Sequence, residues 1–331
     1  MDPAELSQHT EEIPRAGEEQ PLSVYTLAID ENIAKKLHDY CAGNSEFAEQ
    51  KLEYTRFAYR SDAGGFSLAV YESMKLLVTG RGTRNFVQNV FEPKISGKPL
   101  LGYDEVWHPE WFEWHAGMDE SGKGDVFGPL VTSCVIAGKD AVRKWIAVGV
   151  RDSKTIVDKT IFKMEKLIRE TPGVIVKTCT ADMRKYNDLY NKRFFNMNML
   201  LSYFHFVVLR EALVAAKGTE MGLPKWGLLD QFSRNPLVQG DLKNNAINFD
   251  LRMQTKAESD PVVAAASIVA RATFLRELAA LGNKAGIMLP KGCSPEATQC
   301  LVKVRKKFGK RRMAEFAKMH FSSVQEALDK A

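Results

Sequence analysis

Asp119 and Glu120 stand side by side where a short apolar run, residues 116–118, gives way to the turn Gly122-Lys123-Gly124. Adjacent carboxylates are hard oxygen donors suited to divalent cations. Glycines let a backbone approach a phosphate closely, and a lysine adds positive charge beside it. The combination points to metal-dependent chemistry on a phosphodiester. Residues 117–123 also fit the spacing G-x-x-x-x-G-K of a phosphate-cradling loop, but three features count against that. Gly124 stands where a metal-holding Ser or Thr is required. Asp119 and Glu120 would put two negative charges inside an anion cradle. Pro129 opposes the helix that must grow from such a loop. An exposed acidic turn with no chemistry is the alternative that these residues alone leave open.

A site that clamps two ions about 3.5–4 Å apart needs three or four carboxylates. Asp230 ends the apolar run Trp226-Gly227-Leu228-Leu229, and Glu258 lies just before Pro261, which can open an apolar helix. Asp260 competes with Glu258. Nothing in the spacing shows that these groups converge, and a single carboxylate at a strand end is more often a cap or a solvated charge.

A length of 331 residues, 45% of them hydrophobic, fits one very large domain or two ordinary ones, and the elements around these acids read as two. No run of about 18 apolar residues predicts a membrane span. The acidic, polar start does not read as a secretory signal, and five cysteines without a C-x-x-C pair read as reduced cytosolic thiols. A cytoplasmic protein is expected, with a monomer as the default. The net charge is +5, yet residues 1–20 hold six acids against one base, so the rest of the chain is more basic still. That excess suits a polyanionic partner. Residues 1–20 are expected to be a disordered acidic tail.

Residues 21–92 read as β-α-β-β-β-α: a strand at 23–29, a helix capped by Asp30 and stopped by Gly43, strands at 55–59, 66–71 and 76–79, and a helix at 84–91. Arg56, Arg60, Lys75 and Arg81 lie on or near these strands, where a basic sheet face would meet nucleic acid; ordinary solvated charges are the alternative. Residues 93–113 are rich in Pro, Gly and Lys and read as a linker, with Trp107, Trp111 and Trp114 docking its end. Residues 114–331 form the second domain. Here 126–137 should hairpin with the first strand, Arg151-Asp152-Ser153-Lys154 should precede a helix at 157–169, and 173–179 should be a strand. A long apolar helix is expected within 186–216, and another after Pro261.

These motifs resemble the type 2 ribonucleases H. Residues 117–125 with Gly128-Pro129-Leu130-Val131 look like that family's opening motif, and Asp152-Ser153-Lys154 resembles its D-S-K loop. Asn196-Met197-Asn198-Met199-Leu200-Leu201 is similar to its N-x-N-x-L-L helix, and Leu229-Asp230-Gln231-Phe232 to the strand bearing its third acid. Residues 264–271, Leu289-Pro290-Lys291-Gly292 and Lys318-Met319-His320-Phe321 follow in the family order. The element Gly122-Lys123-Gly124 and a glutamate as fourth acid resemble the ribonuclease HIII subgroup, whose N-terminal domain is similar to the TATA-binding protein. Pro224-Lys225-Trp226-Gly227 and Asp260-Pro261 depart from it.

The resemblance implies a ribonuclease H-like mixed sheet flanked by helices. It implies hydrolysis of the RNA strand of an RNA–DNA hybrid, with Mg2+ or Mn2+ as two ions, leaving 3′-hydroxyl and 5′-phosphate ends. Asp119 would be shared by both ions, and Glu120, Asp230 and Glu258 would complete the set. Gly122, Lys123 and Gly124 would face the minor groove, and Ser153, Lys154 and Lys291 would bind phosphates. A nuclease acting on branched DNA and a non-catalytic binder are the other classes, and four intact acids argue against the binder.

Overall fold

The computed structural model describes residues 22–98, 100–150 and 156–329; the expected tail at 1–20 and the loop residues Ser153 and Lys154 lie outside them. The chain divides into two units, Met1–Pro109 and Glu110–Ala331.

The first unit runs β1 (Val24–Ala28), α1 (Glu31–Ala42), β2 (Ala48–Gln50), β3 (Thr55–Ser61), β4 (Phe66–Tyr71), β5 (Lys75–Gly80) and α2 (Thr83–Phe86), which continues in wider π-helical turns over Val87–Ser96. Its strands form one antiparallel sheet in the order β1-β5-β4-β3-β2. The Asp30 side chain accepts from the Ile33 amide at 2.8 Å, as a helix cap should. Leu37 and Cys41 of α1 pack with Leu68, Val70, Leu76, Val78 and Phe91 over one sheet face. Two sequence expectations need correction. A fifth strand, β2, was not foreseen: three residues, Ala48-Glu49-Gln50, hold no apolar alternation to reveal it. Residues expected as linker carry helical turns, at the end of the π-helical segment, at α3 (Asp104–Trp107) and at Pro109–Phe112. The basic sheet is partly neutralised from within, because Arg56 pairs with Glu31 and Arg60 with Asp62.

The second unit contains β6 (His115–Ser121), β7 (Val131–Ala137), α4 (Lys139–Ala147), α5 (Asp158–Glu170), β8 (Ile175–Thr180), α6 (Met183–Leu189), α7 (Met197–Lys217), β9 (Trp226–Asp230), α8 (Leu237–Asn244), β10 (Asp250–Gln254), α9 (Pro261–Ala285), α10 (Pro295–Phe308) and α11 (Ser322–Asp329). The sheet order is β10-β9-β6-β7-β8. β6–β7 and β7–β8 are antiparallel, while β6–β9 and β9–β10 are parallel, so the sheet is mixed. Strand alternation sends Ala116 and Met118 toward α7, and so leaves Gly117 and Asp119 facing α9. The first half of α9 is alanine-rich and buried. It lies so close to β6 that a Cβ at Gly117 would overlap the backbone of Val262 and Val263.

β7 starts at Val131 and not at the expected Val126, since Gly128-Pro129 interrupts the chain; Phe127 instead bridges to Ala317. The long apolar helix expected within 186–216 is α7, and it is set off from the turns before it. Phe195 takes a left-handed conformation, and Asn196 then caps α7 through the amides of Asn198 and Met199. Among the described residues, α7 is by length and composition apolar enough to cross a membrane. Here Leu200, Leu201, Phe204 and Val208 are buried in the core of the unit.

Candidate active site

Asp119 and Glu120 lie near the C-terminal end of β6. The parallel register pairs Met118 with Leu229, so the next step brings Asp119 beside Asp230 at the same sheet end. Because successive strand residues face opposite ways, the two neighbours reach opposite layers. Asp119 takes a hydrogen bond from the Ser267 hydroxyl of α9. Glu120 Oε2 lies 3.2 Å from Nε2 of His205 on α7, and its Oε1 lies 3.7 Å from Lys123 Nζ.

The Asp230 carboxylate accepts from the Ala257 amide at 3.0 Å. Ala257 opens the short helical turn Ala257–Ser259, which carries Glu258. Asp230 therefore tethers the turn that bears the fourth expected acid. Asp260 does something else. It is 1% exposed, caps α9 through the amides of Val262 and Val263 at 2.7 and 3.4 Å, and lies 3.1 Å from His115 Nε2. His115 stacks on Trp226 at 4.3 Å. It begins β6, four residues or about 13 Å along an extended strand from Asp119.

Asp119 is 7% exposed. Burial first, then the negative charges of Glu120 and Asp230, push its carboxyl up to about 7, against the opposing hydrogen bonds from Ser267 and the Glu120 amide. Among the described residues, no group of three or more His, Cys, Asp and Glu side chains is already gathered as a metal site. The donors present nevertheless fit one. They are all carboxylate oxygens, the preference of hard divalent ions, and Asp119 is crowded by the charges of Glu120 and Asp230, a repulsion that a bound cation would relieve.

Gly122 has a φ of +86°, and a Cβ there would overlap the Pro129 carbonyl. Only glycine suits that position. A Cβ added at Gly124 would meet nothing within 4 Å, so the side of the backbone it would occupy is open. The loop is held from behind by two C-terminal segments. Asp125 Oδ1 accepts from the Gly292 amide at 2.5 Å. Lys318, 0% exposed, donates from Nζ to the carbonyls of Asp125 and Gly128 at 2.7 and 2.6 Å. Its position within a motif marked Lys318, but only the fold shows that it clamps this loop. Lys291 lies in the segment that carries Gly292, where its Nζ pairs with Asp158 at 2.7 Å; Asp158 also takes Arg271 at 2.7 Å. The Lys291 ammonium, ahead of Arg271, holds the Asp158 carboxyl below its usual range.

Burial lowers the Lys318 ammonium from 10.5 to about 7, although Asp125 pulls the other way. The unfolded chain thus binds more protons than the folded one between those values, so folding stability rises with pH across that window. Lys318→Met should flatten this rise, read as melting temperature between pH 7 and 10. An equal slope in both proteins would contradict the burial of a lysine with a lowered pKa.

The family model described as ribonuclease HII matches residues 116–324. The chain is 33% identical to a ribonuclease HIII of Protochlamydia amoebophila, over 84% of this chain and 88% of that protein. It is 31% identical to a ribonuclease HIII of Chlamydia pneumoniae, over 91% and 95%. Among solved structures it is similar to Bst-RNase HIII in complex with Mn2+, with a TM-score of 0.64 and 25% identity, covering 93% of this chain and 98% of that one. It is also similar to Aquifex aeolicus RNase H3, with a TM-score of 0.51 and 27% identity, covering 90% and 100%.

Proposed function

The chain belongs to the ribonuclease HIII branch of the type 2 ribonucleases H, and from that premise we propose that it cuts the RNA strand of RNA–DNA hybrids with two divalent ions held by Asp119, Glu120, Asp230 and Glu258. Membership makes it a metal-dependent endoribonuclease with a ribonuclease H-like fold. The observation that carries the reading is the parallel register of β6 and β9, which sets Asp119 beside Asp230 while Asp230 tethers the turn of Glu258. Bound there, Mg2+ or Mn2+ would supply the Lewis acidity that activates water and neutralises charge developing at phosphorus, leaving 3′-hydroxyl and 5′-phosphate ends.

The chain's own residues do the rest. Asp119, beside Glu120 and Asp230, would hold the ions together with the other three acids. Gly122, Lys123 and Gly124 present open backbone and one positive charge to the minor groove, where 2′-hydroxyls distinguish RNA from DNA. Lys291 exchanges Asp158 for a substrate phosphate, and Ser153 and Lys154 are assigned to phosphate binding as well. The enzyme works as a cytoplasmic monomer. A strand-labelled hybrid, titrated with Mg2+ and Mn2+, tests the reading: RNA-strand cleavage to 5′-phosphate products is expected, and cleavage of branched DNA in preference to hybrid overturns it.

The first unit is assigned duplex binding through its sheet. A tethered second surface raises local concentration, so its loss weakens affinity more than chemistry. Residues 107–331 alone should still cleave at saturating hybrid, with KM raised by roughly tenfold or more and a shallower salt dependence, because fewer phosphates are contacted. Equal affinity and equal salt slope would remove this role from the unit. A folded but inactive fragment would mean that the unit positions the scissile phosphate.

A further inference from the structure

His205 is 0% exposed in the middle of α7, 85 positions from Glu120 in sequence, yet its Nε2 lies 3.2 Å from Glu120 Oε2. Its other ring nitrogen, Nδ1, is buried, and no hydrogen-bond partner among the described residues reaches it. The ring stacks on Phe232, with centroids 5.4 Å apart and planes 15° from parallel. A proton on Nδ1 would therefore be a buried donor without an acceptor, which is costly. The neutral tautomer protonated at Nε2 avoids that cost, and its N–H points at the carboxylate.

We propose that His205 is a positioning residue that holds the Glu120 carboxylate in the orientation its metal ion requires. The inference rests on the functional reading above. Glutamate has three side-chain torsions, and an unrestrained one loses that freedom when it binds an ion. A neutral donor fixes the carboxylate in advance without cancelling its charge. Lys123, on the other carboxylate oxygen at 3.7 Å, brings a charge of its own and is more exposed. α7 makes the anchor rigid, since Phe204 and Val208 around His205 are buried core residues. Groups that orient a ligand in this way set affinity by about 10–100-fold.

The test measures Mn2+ binding to the full chain by calorimetry without hybrid, together with the metal dependence of hybrid cleavage. In His205→Phe the ring and its stack remain while the donor is lost. Mn2+ should bind about 10–100-fold more weakly, and half-maximal activity should need proportionately more metal. KM for hybrid at saturating metal and the melting temperature should stay near wild type. His205→Gln places an amide nitrogen where Nε2 was and should restore metal binding; His205→Asn places one near Nδ1 and should not. Wild-type Mn2+ affinity in His205→Phe overturns the proposal, as does equal impairment of the Gln and Asn variants. A wild-type chain that neither binds Mn2+ nor cleaves hybrid overturns the functional reading, and this inference with it.

Discussion

Asp119→Asn is expected to lower hybrid cleavage by about a thousandfold or more, a barrier increase of about 4 kcal/mol, while the hybrid still binds. The variant keeps the volume of the side chain and removes the charge that, in the proposed site, would hold the ions. The same change should stabilise the metal-free fold. Asp119 is buried beside Glu120 and Asp230, and like charges in so small a space repel. Relief of about 1 kcal/mol corresponds to a melting temperature higher by roughly 2–4 °C. A residue that costs stability and is needed for turnover is the expected signature of a functional group. Near-normal turnover of Asp119→Asn with Mg2+ present would sink the assignment.

The second large effect separates Glu258 from Asp260. Glu258→Gln should melt like wild type, lose about a hundredfold or more in cleavage, and demand more metal. Asp260→Ala should do the reverse. It removes a helix cap, worth about 1 kcal/mol, and leaves the buried His115 Nε2 without its acceptor, which costs about 1–3 kcal/mol more. Activity per folded molecule should survive. Melting curves and metal titrations on the same two variants decide the matter, and the opposite ranking would make Asp260 the ligand.

That Asp119, Glu120 and Asp230 lie near the ends of strands was legible because each follows an apolar run, and a charge at the end of such a run stands out. β9 runs over Trp226–Asp230, as its sequence suggested. The placement of Asp260 was also written in the chain, though it was read as a rival ligand: aspartate followed by proline is the signature of a helix cap with proline at the first position. His205 had no such signal. A single histidine inside an apolar helix looks like packing until its partner on another strand is known. β10 and α8 went unseen because Asp250–Gln254, although it alternates, offers only two apolar residues in five, and Leu237–Asn244 is a short helix interrupted by Gly240. The loop clamp of Lys318 was hidden for a third reason, that a lysine is ordinarily assigned to solvent.

β6 finds its parallel partner β9 about 110 residues further along, after β7, β8 and α7 have been made. Pairing across so long a loop is a late event in folding. Asp119 and Asp230 therefore meet only when the sheet is nearly complete, and an unfinished or partly opened chain carries the motif without the site. An ion held between the two strands would fasten the last step: it would slow unfolding and leave the folding rate almost unchanged. The lifetime of the folded enzyme and its capacity to cut would then depend on the same strand pair.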